Sequence, residues 1–141
     1  VMKHFRQFFV ERKTIFDWLI FPPEGEHLDI ANKIAAMEGD DSMVYRGINK
    51  AEYDALMRDG FVTSKGDGNT RLGLKASYLA DDLQLGGRFA LRHYMDGEGG
   101  YLLTIDKSKL PDQTQADPGN SYTSRIPKEA IVDIVDLGTL V

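Results

Sequence analysis

The chain contains no cysteine. That excludes a disulfide framework, a thiolate metal site and a cysteine nucleophile, and it fits a reducing compartment. Its three histidines, His4, His27 and His93, are scattered, so no zinc-ligand spacing forms and no metal is expected. No apolar run approaches the roughly 18 residues that a membrane-crossing helix needs. The basic residues near the start precede no clean apolar segment with a small-residue cleavage site, so no signal peptide is expected. A basic surplus is also missing. Lys and Arg number 17 against 22 Asp and Glu, and the net charge of -5 argues against broad binding to a nucleic-acid backbone. The Gly-rich spacings that cradle nucleoside triphosphates or dinucleotides are absent, as are internal repeats and low-complexity tracts.

What is present suits one domain. A length of 141 residues supports a single core, which is expected to span 1–141 with a helical part over 1–40. Apolar residues at spacings of three and four predict a helix over 4–20, stopped by Pro22-Pro23, and a second over 26–38 capped by Gly39. The first carries a stripe of Phe5, Phe8, Phe9, Ile15 and Phe16, fit for a core or for a partner. Asn49 with Glu52 three residues later resembles a capping box, and that helix should run to Asp59, face Tyr53, Leu56 and Met57 inward, and end at Gly60. Strands are predicted at 43–48, 61–64, 74–80, 101–105, 121–123 and 131–137, with a helix from Asp81 to about Met95. Gly86-Gly87 inside that helix implies close packing against a strand or a break. Residues 65–73 read as a polar loop, and 107–120 as a long irregular connection. Many short strands with few helices make the fold class α+β.

Within this order the stretch Met43-Val44-Tyr45-Arg46-Gly47-Ile48 stands out. An arginine inside an apolar strand costs several kcal/mol, of order, unless something anionic meets it. Two arrangements satisfy it. Arg46 lies on an edge strand and reaches solvent or pairs with a nearby carboxylate. Alternatively it presents its guanidinium to a phosphate or carboxylate ligand.

Three pieces in order bear on that choice. The first is Tyr45-Arg46-Gly47, leading into a helix that ends at Gly60. The second is Lys75-Ala76-Ser77-Tyr78-Leu79-Ala80-Asp81, followed by a helix with Phe89-Ala90-Leu91-Arg92-His93-Tyr94. The third runs from Tyr122 through Ile126-Pro127-Lys128-Glu129-Ala130-Ile131. Together, over residues 43–137, they resemble the ADP-ribosyltransferase superfamily in its cholera-toxin-like and bacterial or phage effector branches.

The resemblance implies two packed small antiparallel sheets with N-terminal helices and an NAD site in the cleft between them. NAD would be a substrate, cleaved through an oxocarbenium-like transition state, so the site must bind diphosphate, hold nicotinamide and stabilise positive charge on ribose. Arg46 would grip the diphosphate, Tyr45 and Gly47 would flank it, Ser77 would orient a catalytic carboxylate, and Tyr78 would stack on nicotinamide. Thr63-Ser64 is a competing serine pair. The family's glutamate before the Ile-Pro turn is missing. Pro118-Gly119-Asn120 stands there, leaving Asp117 as the nearest carboxylate, with Asn120 able only to hydrogen-bond. Glu129, in the turn, reads as a surface residue. Three functions remain open: mono-ADP-ribosyl transfer to a protein target, a toxin that hydrolyses NAD, and an inactive module that binds a partner. The setting implied is the cytoplasm, the producer's own or that of a host into which the protein is delivered.

Overall fold

Alternation along Val44-Tyr45-Arg46-Gly47-Ile48 sends successive side chains to opposite faces of a strand, and both faces are covered. In the computed structural model, which describes residues 22–62 and 77–141, this strand is β1 (Met43–Ile48). The remaining elements are α1 (Glu26–Ala35), α2 (Lys50–Asp59), β2 (Phe61–Val62), β3 (Ser77–Ala80), α3 (Leu83–Met95), β4 (Tyr101–Asp106), β5 (Thr114–Asp117), β6 (Asn120–Thr123), β7 (Ile126–Pro127) and β8 (Ile131–Asp136). Short 3-10 turns follow β4, β7 and β8. The helix expected over 4–20, residues 63–64 and 74–76 of two expected strands, and the loop 65–73 lie outside the described residues.

The fold is α+β. Among the described residues, one antiparallel sheet runs in the order β5-β6-β3-β1-β4-β8, and β2 pairs with β7 as a separate two-stranded ribbon. The expectation of two small sheets is corrected in this respect: one sheet is large. Tyr45, Leu102, Ala90, Leu91, Ile30 and Ile34 form a core on the face that α1 and α3 cover. Val44, Ile48, Leu79, Leu103 and Ile105 form a second core on the other face with Leu56 of α2, Val62 and Ile126. Burial on both sides explains why β4 reads as an almost unbroken apolar run.

Helix α3 can lie so close to β1 because neither backbone carries a side chain at the crossing. A Cβ at Gly47 would overlap Ala90 N and stand 2.7 Å from Gly86 O, and a Cβ at Gly86 would stand 2.7 Å from Tyr45 Cβ. Gly86 is thus explained by packing against β1, and Gly87 by packing against α1, since a Cβ there would stand 2.5 Å from Ile34 Cγ2; the helix is continuous through both.

Local chemistry sets most boundaries. Asn49 Oδ1 accepts from Glu52 N at 2.8 Å, and the Glu52 side chain accepts from Asn49 N at 3.4 Å, completing the capping box of α2. Gly60 closes the helix with φ 83. Four expectations shift. Helix α1 ends at Ala35, where the ladder tightens and Met37 N–H bonds Ile34 O, three residues back, at 3.0 Å, and Gly39 instead sits beside the Tyr45 phenol. Asp82, not Asp81, caps α3, accepting from Gln84 N at 3.1 Å. Met57 is 40% exposed, since α2 buries only Leu56 fully. The connection 107–120 contains β5, which pairs with β6 around a Pro118-Gly119 turn where Gly119 has φ 86. Polar Thr114 and Gln115 on an outer strand lack the alternation that would have announced it.

Candidate functional site where two central strands part

β1 pairs with β4 along its whole length, from Met43↔Asp106 to Ile48↔Tyr101. With β3 it registers only at Tyr45↔Ala80. Past that position the backbone ladder stops, and a side chain takes over. Arg46 Nη1 donates to the Tyr78 carbonyl at 2.9 Å, while Nη2 pairs with Glu52 Oε2 at 3.0 Å. The arginine side chain is 17% exposed and the glutamate 21%, so the pair is largely withdrawn from water. Of the arrangements open to Arg46, an edge strand is excluded, because β1 is interior. A carboxylate partner is present, and it is Glu52 of the capping box.

Two buried side-chain polar atoms have no hydrogen-bond partner among the described residues, Arg46 Nε and Ser77 Oγ. They lie on one face of the sheet. Arg46 sits between Val44 and Ile48, and Ser77 shares the parity of Leu79, all three apolar residues belonging to the second core. A guanidinium has five N–H donors, and among the described residues two bonds are placed. Orphaned donors and hydroxyls of this kind cost about 1–3 kcal/mol each unless a partner arrives. On the same face, Ser121 accepts from Gln113 Nε2 at 3.1 Å and Thr123 donates to Asp112 Oδ1 at 2.8 Å. The Asp112 carboxyl is held below its ordinary range, first by the Ser124 N–H and also by the Thr123 hydroxyl.

The expected site residues divide by parity. Arg46 and Ser77 share this face. Tyr45, Gly47 and Tyr78 belong to the opposite face. Tyr45 is buried against α3, with its phenol oxygen accepting from Asp40 N at 2.7 Å. Gly47 is the point of closest approach to α3, and the Tyr78 ring packs edge-on to Tyr122 at 4.6 Å. Asn120 is buried with that same parity, paired with Ala80. Asp117 lies in β5, the outer strand of the row Asp117, Asn120, Ala80, Tyr45. Its backbone is therefore three strand spacings from β1, about 14 Å. Ile126-Pro127, expected as a turn, is strand β7 paired with β2, and Glu129 is exposed in the 3-10 turn after it. Thr63-Ser64 lies outside the described residues.

Sequence reasoning missed Glu52 as a site residue. It was legible only as a helix cap, yet the same carboxylate closes on Arg46 across the β1–α2 turn. The signal available was its place in a box opening directly after the arginine strand.

Comparison of the chain with known protein families, curated proteins and solved structures finds no match. Among the described residues no helix is long and apolar enough to cross a membrane.

Chemically, this face carries one unfilled guanidinium donor, Arg46 Nε, and one unfilled hydroxyl, Ser77 Oγ. Ser77→Ala is expected to leave the melting temperature unchanged or to raise it by roughly 2–4 °C, since it removes a buried hydroxyl that has no bond to lose. Ligand binding should weaken in the same variant. A clear fall in melting temperature would show that the hydroxyl serves the fold.

Proposed function

We propose that the protein binds NAD on the Arg46–Ser77 face and transfers its ADP-ribose to a protein acceptor. The observation that carries this reading is the pair of orphaned buried atoms, Arg46 Nε and Ser77 Oγ, on one face where β1 and β3 part. The order of an arginine strand, a serine strand and an Ile-Pro pair supports it, as does the resemblance to ADP-ribosyltransferases. Arg46 would hold the diphosphate, and Ser77 would hydrogen-bond a ribose or amide oxygen. The bond from ribose C1′ to the nicotinamide nitrogen breaks, both electrons leaving with neutral nicotinamide. A side chain of the acceptor protein forms the new bond to C1′ and gives up its proton. Of the carboxylates, Glu52 touches the guanidinium, whereas Asp117 stands on the far strand.

A second reading has its own support. The Arg46–Glu52 pair already neutralises the guanidinium within the chain, as a module that keeps the fold for binding alone would do. Hydrolysis of NAD needs the same site with water as the acceptor. Incubation with NAD labelled in its adenylate half, plus a cell lysate, separates these. Label on a protein with release of nicotinamide is the expected result. Nicotinamide without labelled protein selects hydrolysis. Neither product from a folded sample, with no heat of NAD binding, selects the non-catalytic module.

A further inference from the structure

Glu52 is bound to two things at once. Its Oε2 pairs with Arg46 Nη2 at 3.0 Å, and its Oε1 accepts from Asn49 N at 3.4 Å, a long bond for an N–H donor. The other bond of the capping box, Asn49 Oδ1 with Glu52 N at 2.8 Å, does not involve the carboxylate. So the carboxylate can leave the guanidinium without undoing the helix start, and a partner waits at Asn49 N.

From this geometry we infer that Glu52 is an internal stand-in for the anionic ligand, which holds Arg46 aligned until a diphosphate displaces it. The inference rests on the reading of Arg46 as the diphosphate grip, and it adds the residue that sets how tightly the grip closes. Nη1 stays on the Tyr78 carbonyl in both states, so the plane of the fork is fixed by β3 while Nη2 changes partner and Nε gains one. The incoming ligand competes with a carboxylate already in place, so its apparent affinity is lowered by the strength of that pair. Glu52 is thus a positioning residue that also limits affinity.

The sign of the effect separates this from a purely structural role. Glu52→Gln keeps an oxygen for Asn49 N and removes the charge. Calorimetric titration of the full chain with inorganic pyrophosphate, and separately with NAD, should show roughly three- to tenfold tighter binding in this variant than in the wild type. Asn49→Ala breaks the cap but leaves the carboxylate on Arg46, so it should lower the melting temperature without tightening either ligand. If Glu52→Gln binds both ligands equally or more weakly, the inference is overturned while the NAD reading stands. Tighter pyrophosphate binding with no NAD binding in any variant keeps the inference and removes NAD. If neither ligand binds any variant, both fall.

Discussion

Gly47→Ala is expected to cost the fold about 3 kcal/mol or more, enough to lower the melting temperature by roughly 10 °C or to prevent folding. The new methyl group would fall on Ala90 N, with Gly86 O at 2.7 Å and Ala90 Cα at 2.8 Å. These are backbone atoms of a regular helix, so no side chain can swing aside. Relief requires α3 to move away from β1, and α3 is fixed there by Ala90 and Leu91 in the core that also holds Tyr45 and Leu102. A comparison isolates the cause. Among the described residues a Cβ at Gly60 meets nothing within 4 Å, and the obstacle is the left-handed φ of 83. Gly60→Ala should therefore cost about 1 kcal/mol. Circular dichroism melts of the two variants read the difference, and a Gly47→Ala protein that melts with the wild type would show that the helix can retreat at little cost.

That result would also settle what the aromatic-Arg-Gly stretch encodes. Read as a motif, Tyr45, Arg46 and Gly47 look like neighbours serving one ligand. A strand's period of two divides them: Tyr45 and Gly47 serve the contact with α3, and Arg46 serves the opposite face. This division was legible in the sequence, because alternation needs no tertiary information. Other features were legible for local reasons. The box of Asn49 and Glu52, the stop at Gly60 and the doubly buried β4 each follow from chemistry within a few residues. The glycines of α3 announced a close approach, although not its partner. What could not be read is non-local. Only the folded sheet order places β3 beside β1, ends their ladder at Tyr45↔Ala80 and leaves Arg46 to bond the Tyr78 carbonyl. The same order moves the backbone of Asp117 to the outer strand, where sequence distance from the Ile-Pro turn had suggested a place in the site. Glu52 was hidden by the sufficiency of its first explanation, since a residue that caps a helix raises no further question.

Arg46→Lys is expected to weaken NAD and pyrophosphate binding roughly 30- to 100-fold, and to reduce any transfer activity by at least as much. The guanidinium holds Tyr78 O at 2.9 Å and Glu52 Oε2 at 3.0 Å with different nitrogens, and keeps Nε in reserve. A lysine brings one nitrogen to the same place. It can satisfy the carbonyl or the carboxylate, but it cannot fork onto a phosphate while still anchored to β3. Part of the loss will be structural, because one buried partner is left unpaired at a cost of about 1–3 kcal/mol. The double variant Arg46→Met, Glu52→Gln removes that part. No uncompensated charge remains, so its stability should return toward that of the wild type. Its affinity for either ligand should stay at least as weak as that of Arg46→Lys. Calorimetry alongside thermal melts therefore decides the role of the arginine. If the double variant is as stable as the wild type and still binds NAD, the guanidinium is only a brace between β1, β3 and α2. If stability returns and binding does not, the arginine is held in the sheet for a ligand, and its bond to Glu52 is the resting state of that grip.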